Sequence, residues 1–365
     1  MNTLFSPITL DGLKLANRIV IPPMDQYSAD EGCPTHWHAM HYGHLAVSGA
    51  GLLIVEATAV EPEGRISPGD LGLWSEEHEE LHSRMLDAIS TFSSIPVALQ
   101  LGHAGRKGST NRPWEGRAPL GPHNGGWSVC APSALPFDAA SPMPTALDAT
   151  DIDLLVSSFV TAAKRALRAG YKAIELHAAH GYLLHEFLSP LSNKRDDEYG
   201  GSLENRMRFP LSVFSEVRKA LPKSMPVGMR VSGTDFTPGG WDVAECAILA
   251  QKLEKAGAAF IHVSGGGLSP DQQISLAPGY QVHLAQAIKQ AVTSLPVIAV
   301  GLITEPELAS GIIVSGQADM VAVGRAMLYD PRWPWHAAAT LGASIADAPK
   351  QYLRCQPHKL KSLFV

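Results

Sequence analysis

Eight short apolar runs, each rich in β-branched residues, recur along this chain and limit what it can become. They are RIVIPPM (18–24), GLLIVEATAV (51–60), PVALQLG (96–102), KAIELHA (172–178), PVGMRVS (226–232), AFIHVSG (259–265), PVIAVG (296–301) and DMVAVG (319–324). Their apolar residues are nearly continuous instead of alternating, which suits parallel strands covered on both faces. Amphipathic stretches lie between them. Helices are expected over 151–170, opened by Thr150 as N-cap and closed at Gly170, and over 241–257, 279–292 and 306–316. Eight such alternations in 365 residues predict the α/β class and a closed (βα)8 (TIM) barrel. A doubly wound open sheet is the alternative, but the Gly-rich GxGxxG turn usual after its first strand is missing.

Residues 1–365 are expected to form a single domain with three additions to the plain barrel. Residues 1–16 alternate around Asp11-Gly12 and predict a β-hairpin that closes the barrel bottom. Residues 103–148, rich in Pro, Gly and Trp, make a long loop after strand three, which is expected to act as a lid. Residues 349–365 form a C-terminal tail with no assigned role.

Composition removes several function classes. With 45% hydrophobic and 18% charged residues the chain has ample core, so disorder is not expected. A net charge of −6 without any basic run offers no electrostatic attraction for nucleic acid or an anionic membrane. Cys33, Cys130, Cys246 and Cys355 never approach CxxC spacing, which argues against structural zinc, an iron–sulfur cluster or a disulfide scaffold. No apolar run reaches about 18 residues and the N-terminus lacks a signal-type apolar stretch, so a cytoplasmic location is expected.

Barrel chemistry sits where strands end. The polar residues there include Asp25 and Tyr27 after the first run, Gln100 in the third, Arg230 in the fifth and Ser264 in the sixth. Gly301, Gly324 and Arg325 follow the last two strands, where backbone N–H groups and a cation suit a phosphate. For Arg230 two readings stand: an ion pair with Glu175 or Glu56, or a cation aimed at an electron-rich ligand atom. The fourth run opens into His177, His180 and Tyr182, for which three readings stand. They are metal ligands without the HExxH order, packed core histidines, or two neutral donors for one substrate oxygen with a phenol nearby as acid.

The stretches LKLANRIVIPPM, VEATAVEPEGRIS, QLGHAGRK, ELHAAHGYLLHEFLSPLSNKRDDEYGGSLENRMRF, MRVSGTDF, PVIAVGLI and VAVGRAML resemble the old yellow enzyme family of FMN-dependent ene-reductases, most closely its thermophilic-like bacterial branch. The resemblance runs from residue 4 to the C-terminus. It implies FMN over the barrel mouth, reduced by NADPH or NADH, and then hydride transfer to the activated C=C bond of enones, maleimides and nitro compounds by a ping-pong mechanism. It places Pro23, Met24 and Ala57 near the flavin ring, Gln100 on its pyrimidine edge and Arg230 at its N1 end. Ser264, Gly301, Gly324 and Arg325 hold the phosphate in this resemblance. His177 and His180 bind the substrate oxygen, Tyr182 is the proton donor, Tyr27 contacts substrate, and no metal is required. Arg354, in the context QYLR, reaches the neighbouring subunit's site, which implies a homodimer or a dimer of dimers.

One residue departs from the pattern. The branch carries Cys after IPPM, as a redox-tuning group, where this chain has Asp25. A carboxylate with an ordinary pKa of about 4 is ionised and disfavours flavin reduction, whereas a desolvated one stays protonated and acts as a donor. The ionised form is the expectation. Two further readings compete: a non-redox barrel (an isomerase or lyase) that holds FMN or a sugar phosphate, and a flavin-binding protein in which Asp25 has stopped turnover.

Overall fold

The computed structural model describes residues 3–346 and 348–364; positions 1 and 2 of the expected hairpin segment and 365 of the tail lie outside the described residues. All eight apolar runs are strands: β1 (Ile19–Ile21), β2 (Leu52–Ala59), β3 (Val97–Gly102), β4 (Ala173–Ala178), β5 (Val227–Ser232), β6 (Phe260–Ser264), β7 (Val297–Val300) and β8 (Met320–Ala322). Each pairs in parallel with its sequence neighbours. β8 returns to β1 with Ala322 opposite Val20, so the ring closes and the open-sheet alternative is excluded.

Side chains alternate across this ring. Ala98, Ala173, Phe260, Ile298 and Met320 face inward and form one buried cluster with Leu10 and Leu15. Those two leucines come from the hairpin Ile8–Leu10/Leu13–Leu15. Its turn residues Asp11 (φ 43°) and Gly12 (φ 89°) are both left-handed, as a two-residue turn of the twisted kind requires. The hairpin thus plugs the end of the barrel opposite the strand C-termini, each buried leucine contributing about 1.5–3 kcal/mol.

β2 breaks the alternation once. Its register with β3 shifts between Val55 and Ala57, leaving Glu56 as the extra residue of a bulge. Glu56 accepts hydrogen bonds from Tyr42 and from the Gln26 N–H (3.1 Å), and it does not pair with Arg230.

The helices covering the ring are α1 (His36–Ala46), α2 (Glu76–Ser90), α3 (Ala149–Ala169), α4 (Leu203–Ala220), α5 (Val243–Lys255), α6 (Val282–Ala291), α7 (Pro306–Val314) and α8 (Trp333–Leu341). α3 begins earlier than expected. Its N-cap is Asp148, whose carboxylate accepts from the Asp151 N–H, and Thr150 lies inside the helix; closure at Gly170 is as expected. The expected helices at 241–257, 279–292 and 306–316 are present but shorter. Residues 103–148 carry short 3-10 turns and a small two-stranded sheet, Cys130–Ala131 against Thr145–Ala146. The Arg65 guanidinium joins this segment to the β2 loop by stacking over Trp74 (5.4 Å) and Trp127 (5.0 Å).

Candidate active site

At the C-terminal end of the ring the strands bring together every residue singled out from the sequence except Arg354. β4 delivers His177, and the turn that follows carries His180 and Tyr182, the latter capping the short helix Leu183–Leu188. The three rings pack edge to face: His177 lies 5.2 Å from His180 and 4.9 Å from Tyr182, centroid to centroid. His177 is buried, and its Nδ1 accepts the Ala179 N–H (3.2 Å). The ring proton therefore sits on Nε2, which is left as a donor. His180 has a left-handed backbone (φ 59°), its N–H donates to Ser232 Oγ (2.9 Å), and its Nε2 lies 2.8 Å from Ser264 Oγ. Burial, and next the Arg230 cation, pushes the pKa of both histidines well down. Two neutral imidazoles result.

Burial, reinforced by Asp25 and Tyr27, raises the Tyr182 phenol well above its usual pKa, so it keeps its proton. The Lys107 ammonium stands 5.2 Å over the Tyr182 ring and donates to the carbonyls of His180 (2.8 Å) and Gly267 (2.7 Å). Burial lowers its pKa to about 8. Lys107 thereby ties the turn after β4 to the loop after β6. In the sequence Lys107 stands only within the stretch QLGHAGRK, with no role assigned to it.

Arg230 has two readings to be weighed against its surroundings. It is buried, yet among the described residues it makes no hydrogen bond or ion pair, and its Nε is left without a partner. Glu175, one of its expected partners, is instead taken by Gln100 Nε2 (2.7 Å) and His262 Nδ1 (2.8 Å). A buried unpaired guanidinium is costly, so this arrangement fits a bound electron-rich group better than a structural ion pair.

Asp25 is half-buried, and its Oδ1 accepts the Ala57 N–H (3.2 Å). Burial, then the Asp70 and Glu56 carboxyls, drives its pKa well up against the smaller opposing pulls of the Ala57 hydrogen bond and Arg230. These surroundings push Asp25 toward the protonated form, the alternative to the ionised carboxylate expected from the sequence. Asp70 itself is raised to about 7 by burial, although it accepts from Ser67 Oγ (2.7 Å) and the Ile66 N–H (2.7 Å).

Around this floor lie the remaining candidates. Met24 sits beside Gly324, whose missing side chain would otherwise meet Met24 Sδ at 3.6 Å, while Pro23 is buried just before it. Gly301 has φ +128°, a conformation side chains rarely adopt, and Gln281 stands close by with its Oε1 buried and unpartnered. Arg325 is exposed at the start of the short helix Arg325–Tyr329 and makes no hydrogen bond or ion pair among the described residues. Ser264, expected at the phosphate, is engaged with His180. Tyr27 (φ 50°) packs its ring edge-on to Trp114 (5.9 Å) and lines a cavity of about 600 Å³ with Lys107, Arg117, Phe137 and Tyr182. The 103–148 segment supplies much of that wall.

Arg354 lies elsewhere. It is exposed on the turn Lys350–Cys355 and contacts none of these groups. Among the described residues no group of three or more His, Cys, Asp or Glu is placed to hold a metal ion.

For FMN, the residues present fit. An unpartnered guanidinium and an amide lie at one side of the mouth, a free cation and glycine turns follow β7 and β8, and an open cavity lies above.

Comparison with known proteins agrees with this geometry. The sequence model described as NADH:flavin oxidoreductase / NADH oxidase family matches residues 3–343. An NADPH dehydrogenase of Geobacillus thermodenitrificans is 42% identical over 357 residues, covering 97% of this chain and 99% of that protein. An NADH:flavin oxidoreductase of Gibberella zeae is 43% identical, covering 94% and 87%. Among solved structures, morphinone reductase in complex with tetrahydroNAD superposes with a TM-score of 0.78 at 29% identity, covering 94% of this chain and 92% of that one.

Proposed function

Because the chain belongs to the NADH:flavin oxidoreductase / NADH oxidase family, and is thus an FMN-dependent NAD(P)H oxidoreductase of old yellow enzyme type, we propose that it reduces activated C=C bonds of enones, maleimides and nitro compounds by a ping-pong mechanism. The observation that carries this reading is the pair of neutral imidazoles, His177 and His180, set beside a protonated Tyr182 and an unpaired Arg230. FMN held in this mouth would supply the redox chemistry, hydride transfer between NADPH or NADH and the alkene.

The chain's own residues do the rest. Arg230 and Gln100 would hold the ring's pyrimidine side, and Arg325 with the turns at Gly301 and Gly324 would hold the phosphate. His177 Nε2–H and the His180 ring donate to the carbonyl or nitro oxygen of the substrate, drawing electron density away from its double bond. Neutral histidines suit this task, since they polarise the oxygen without giving up a proton. Tyr182 holds a proton at its hydroxyl for the neighbouring carbon. Tyr27 and the 103–148 segment wall the substrate in, and that segment serves as a lid. Pro23, Met24 and Ala57 shape the floor beside Asp25.

Arg354 acts from a second copy of the chain. This is supported by its exposure on the tail, away from its own mouth, and by nearby half-exposed Tyr352 and Leu353. The chain works as a homodimer or dimer of dimers, with small molecules as its other partners. Its cysteines are all unpaired, in keeping with a cytoplasmic location, and no helix among the described residues is long and apolar enough to cross a membrane.

The test is the double substitution His177→Ala/His180→Ala. FMN content should be unchanged and the protein should still bleach with NADPH. Phenol binding should be lost, and enone reduction should fall about 10²–10³-fold. Unaltered phenol affinity would remove the oxygen clamp from this reading.

A further inference from the structure

Gln100 joins Glu175 and His262 in a chain inside the barrel, and to the last two none of the roles above gives a purpose. Glu175 is fully buried, accepting Gln100 Nε2 on one oxygen (2.7 Å) and lying 2.8 Å from His262 Nδ1 on the other. It reaches from β4 to β6 across β5, where its register partner is Gly228 and no side chain intervenes. His262 is fully buried too, and its Nε2 has no partner. A buried carboxylate is stabilising only when well paired, and apolar residues of similar volume often fill such a space as well or better. Its presence beneath the mouth calls for a use.

The hydrogen-bond directions supply one. An amide has a donor end and an acceptor end. Gln100 commits its NH2 to Glu175, which leaves its carbonyl oxygen as the end available to the mouth. Arg230, in register with both His177 and His262, can only donate. The pyrimidine edge of a flavin presents carbonyl oxygens on either side of an N3–H, and so needs an acceptor as well as donors.

We propose that Glu175 is a positioning residue for the flavin: it fixes the Gln100 amide with its carbonyl toward the mouth, so that Gln100 accepts the ring N3–H, and His262 holds Glu175 in that pose. This rests on the flavin reading above. Glu175 touches neither substrate nor ring. It acts through Gln100.

The apoprotein tests it, titrated with FMN and with N3-methyl-FMN and followed by flavin fluorescence. The native chain should bind the methylated analogue at least about tenfold more weakly, since it loses a hydrogen bond to a committed acceptor. In Glu175→Gln the amide of residue 100 is free to turn, so FMN should still bind but the preference should shrink to about twofold or less. A purely structural role would weaken both ligands alike and leave the ratio unchanged, which overturns the proposal. Equal affinity of the native chain for both ligands overturns it without any variant. If Glu175→Gln does not fold, His262→Asn decides, with a reduced ratio expected and an unchanged one contradicting the idea. Failure to bind either ligand would instead bring down the flavin reading, and this inference with it.

Discussion

Asp25 shows how far a single residue can be read from its letter. Its identity and its place after β1 were legible in the sequence, and so was its departure from the Cys that the resemblance implies there. The upward shift of its pKa was not, because that arises from burial and then from Asp70 and Glu56, which come from other parts of the chain and surround it only after folding. His262 was missed differently: one imidazole in an apolar run was visible, but nothing local says that its partner is Glu175 on a non-adjacent strand. A raised Asp25 pKa has a measurable sign. At acid pH, where Asp25 and an Asp25→Asn variant are both neutral, their flavin midpoint potentials should coincide. As pH rises through the Asp25 pKa, the native potential should fall below that of the variant, because a negative charge beside the ring opposes reduction. Parallel curves over the whole range in an anaerobic redox titration would show that Asp25 does not titrate beside the flavin. Glu186 gives a companion test on stability. It is fully buried and its pKa is raised to about 8, chiefly by burial, with Arg106 opposing. Unfolding lets it ionise from about pH 4.3 upward, so the unfolded state binds fewer protons and stability falls between there and about pH 8. Glu186→Gln should flatten that part of the apoprotein's Tm-against-pH curve, and an unchanged slope would mean that Glu186 is already ionised when folded.

Whole elements were legible in proportion to how local their signals are. All eight strands appear where continuous apolar runs placed them, because a strand covered on both faces needs no partner to reveal its pattern. The Asp11-Gly12 turn was equally plain. Helices were harder. α1 hides behind His36, His38, His41 and His44, which blur its apolar stripe, and α4 carries Pro210 inside it. The start of α3 moved to Asp148 because the bond that caps a helix is decided by geometry, and both Asp148 and Thr150 are suitable residue types. The 103–148 segment is the element whose behaviour is easiest to test. One of its anchors is Arg65 between two indoles, together with the Trp127 Nε1–H bond to the Glu63 carbonyl (3.0 Å). Trp127→Ala removes that bond and one of the two cation–π contacts, each worth about 0.5–2 kcal/mol, and leaves Arg65 over Trp74. Limited proteolysis should then cut within this segment several-fold faster, with FMN content retained and the KM for enones raised. Identical cleavage rates would show that the segment is held by other contacts.

At the scale of the whole molecule, the sequence suggested an assembly through Arg354, which in the single chain is exposed on the turn Lys350–Cys355, away from the mouth. Arg354→Ala should therefore alter enone affinity while leaving FMN content and the sedimentation coefficient unchanged. A native protein that sediments as a monomer with full activity would end this view. The closed ring has a further consequence, which concerns how the molecule is made. β1 cannot find its second neighbour until β8 has been synthesised roughly 300 residues later, which at ordinary elongation rates takes about 15–60 s. Throughout that interval the nascent barrel is a curved sheet with two bare edges, each able to pair with a strand of another unfinished chain. The hairpin is made first and waits with Leu10 and Leu15 uncovered until the barrel end that they plug is assembled around them. The last strand to leave the ribosome is thus the one that ends the danger, and chains stalled before residue 320 should be the ones that aggregate or are taken up by chaperones.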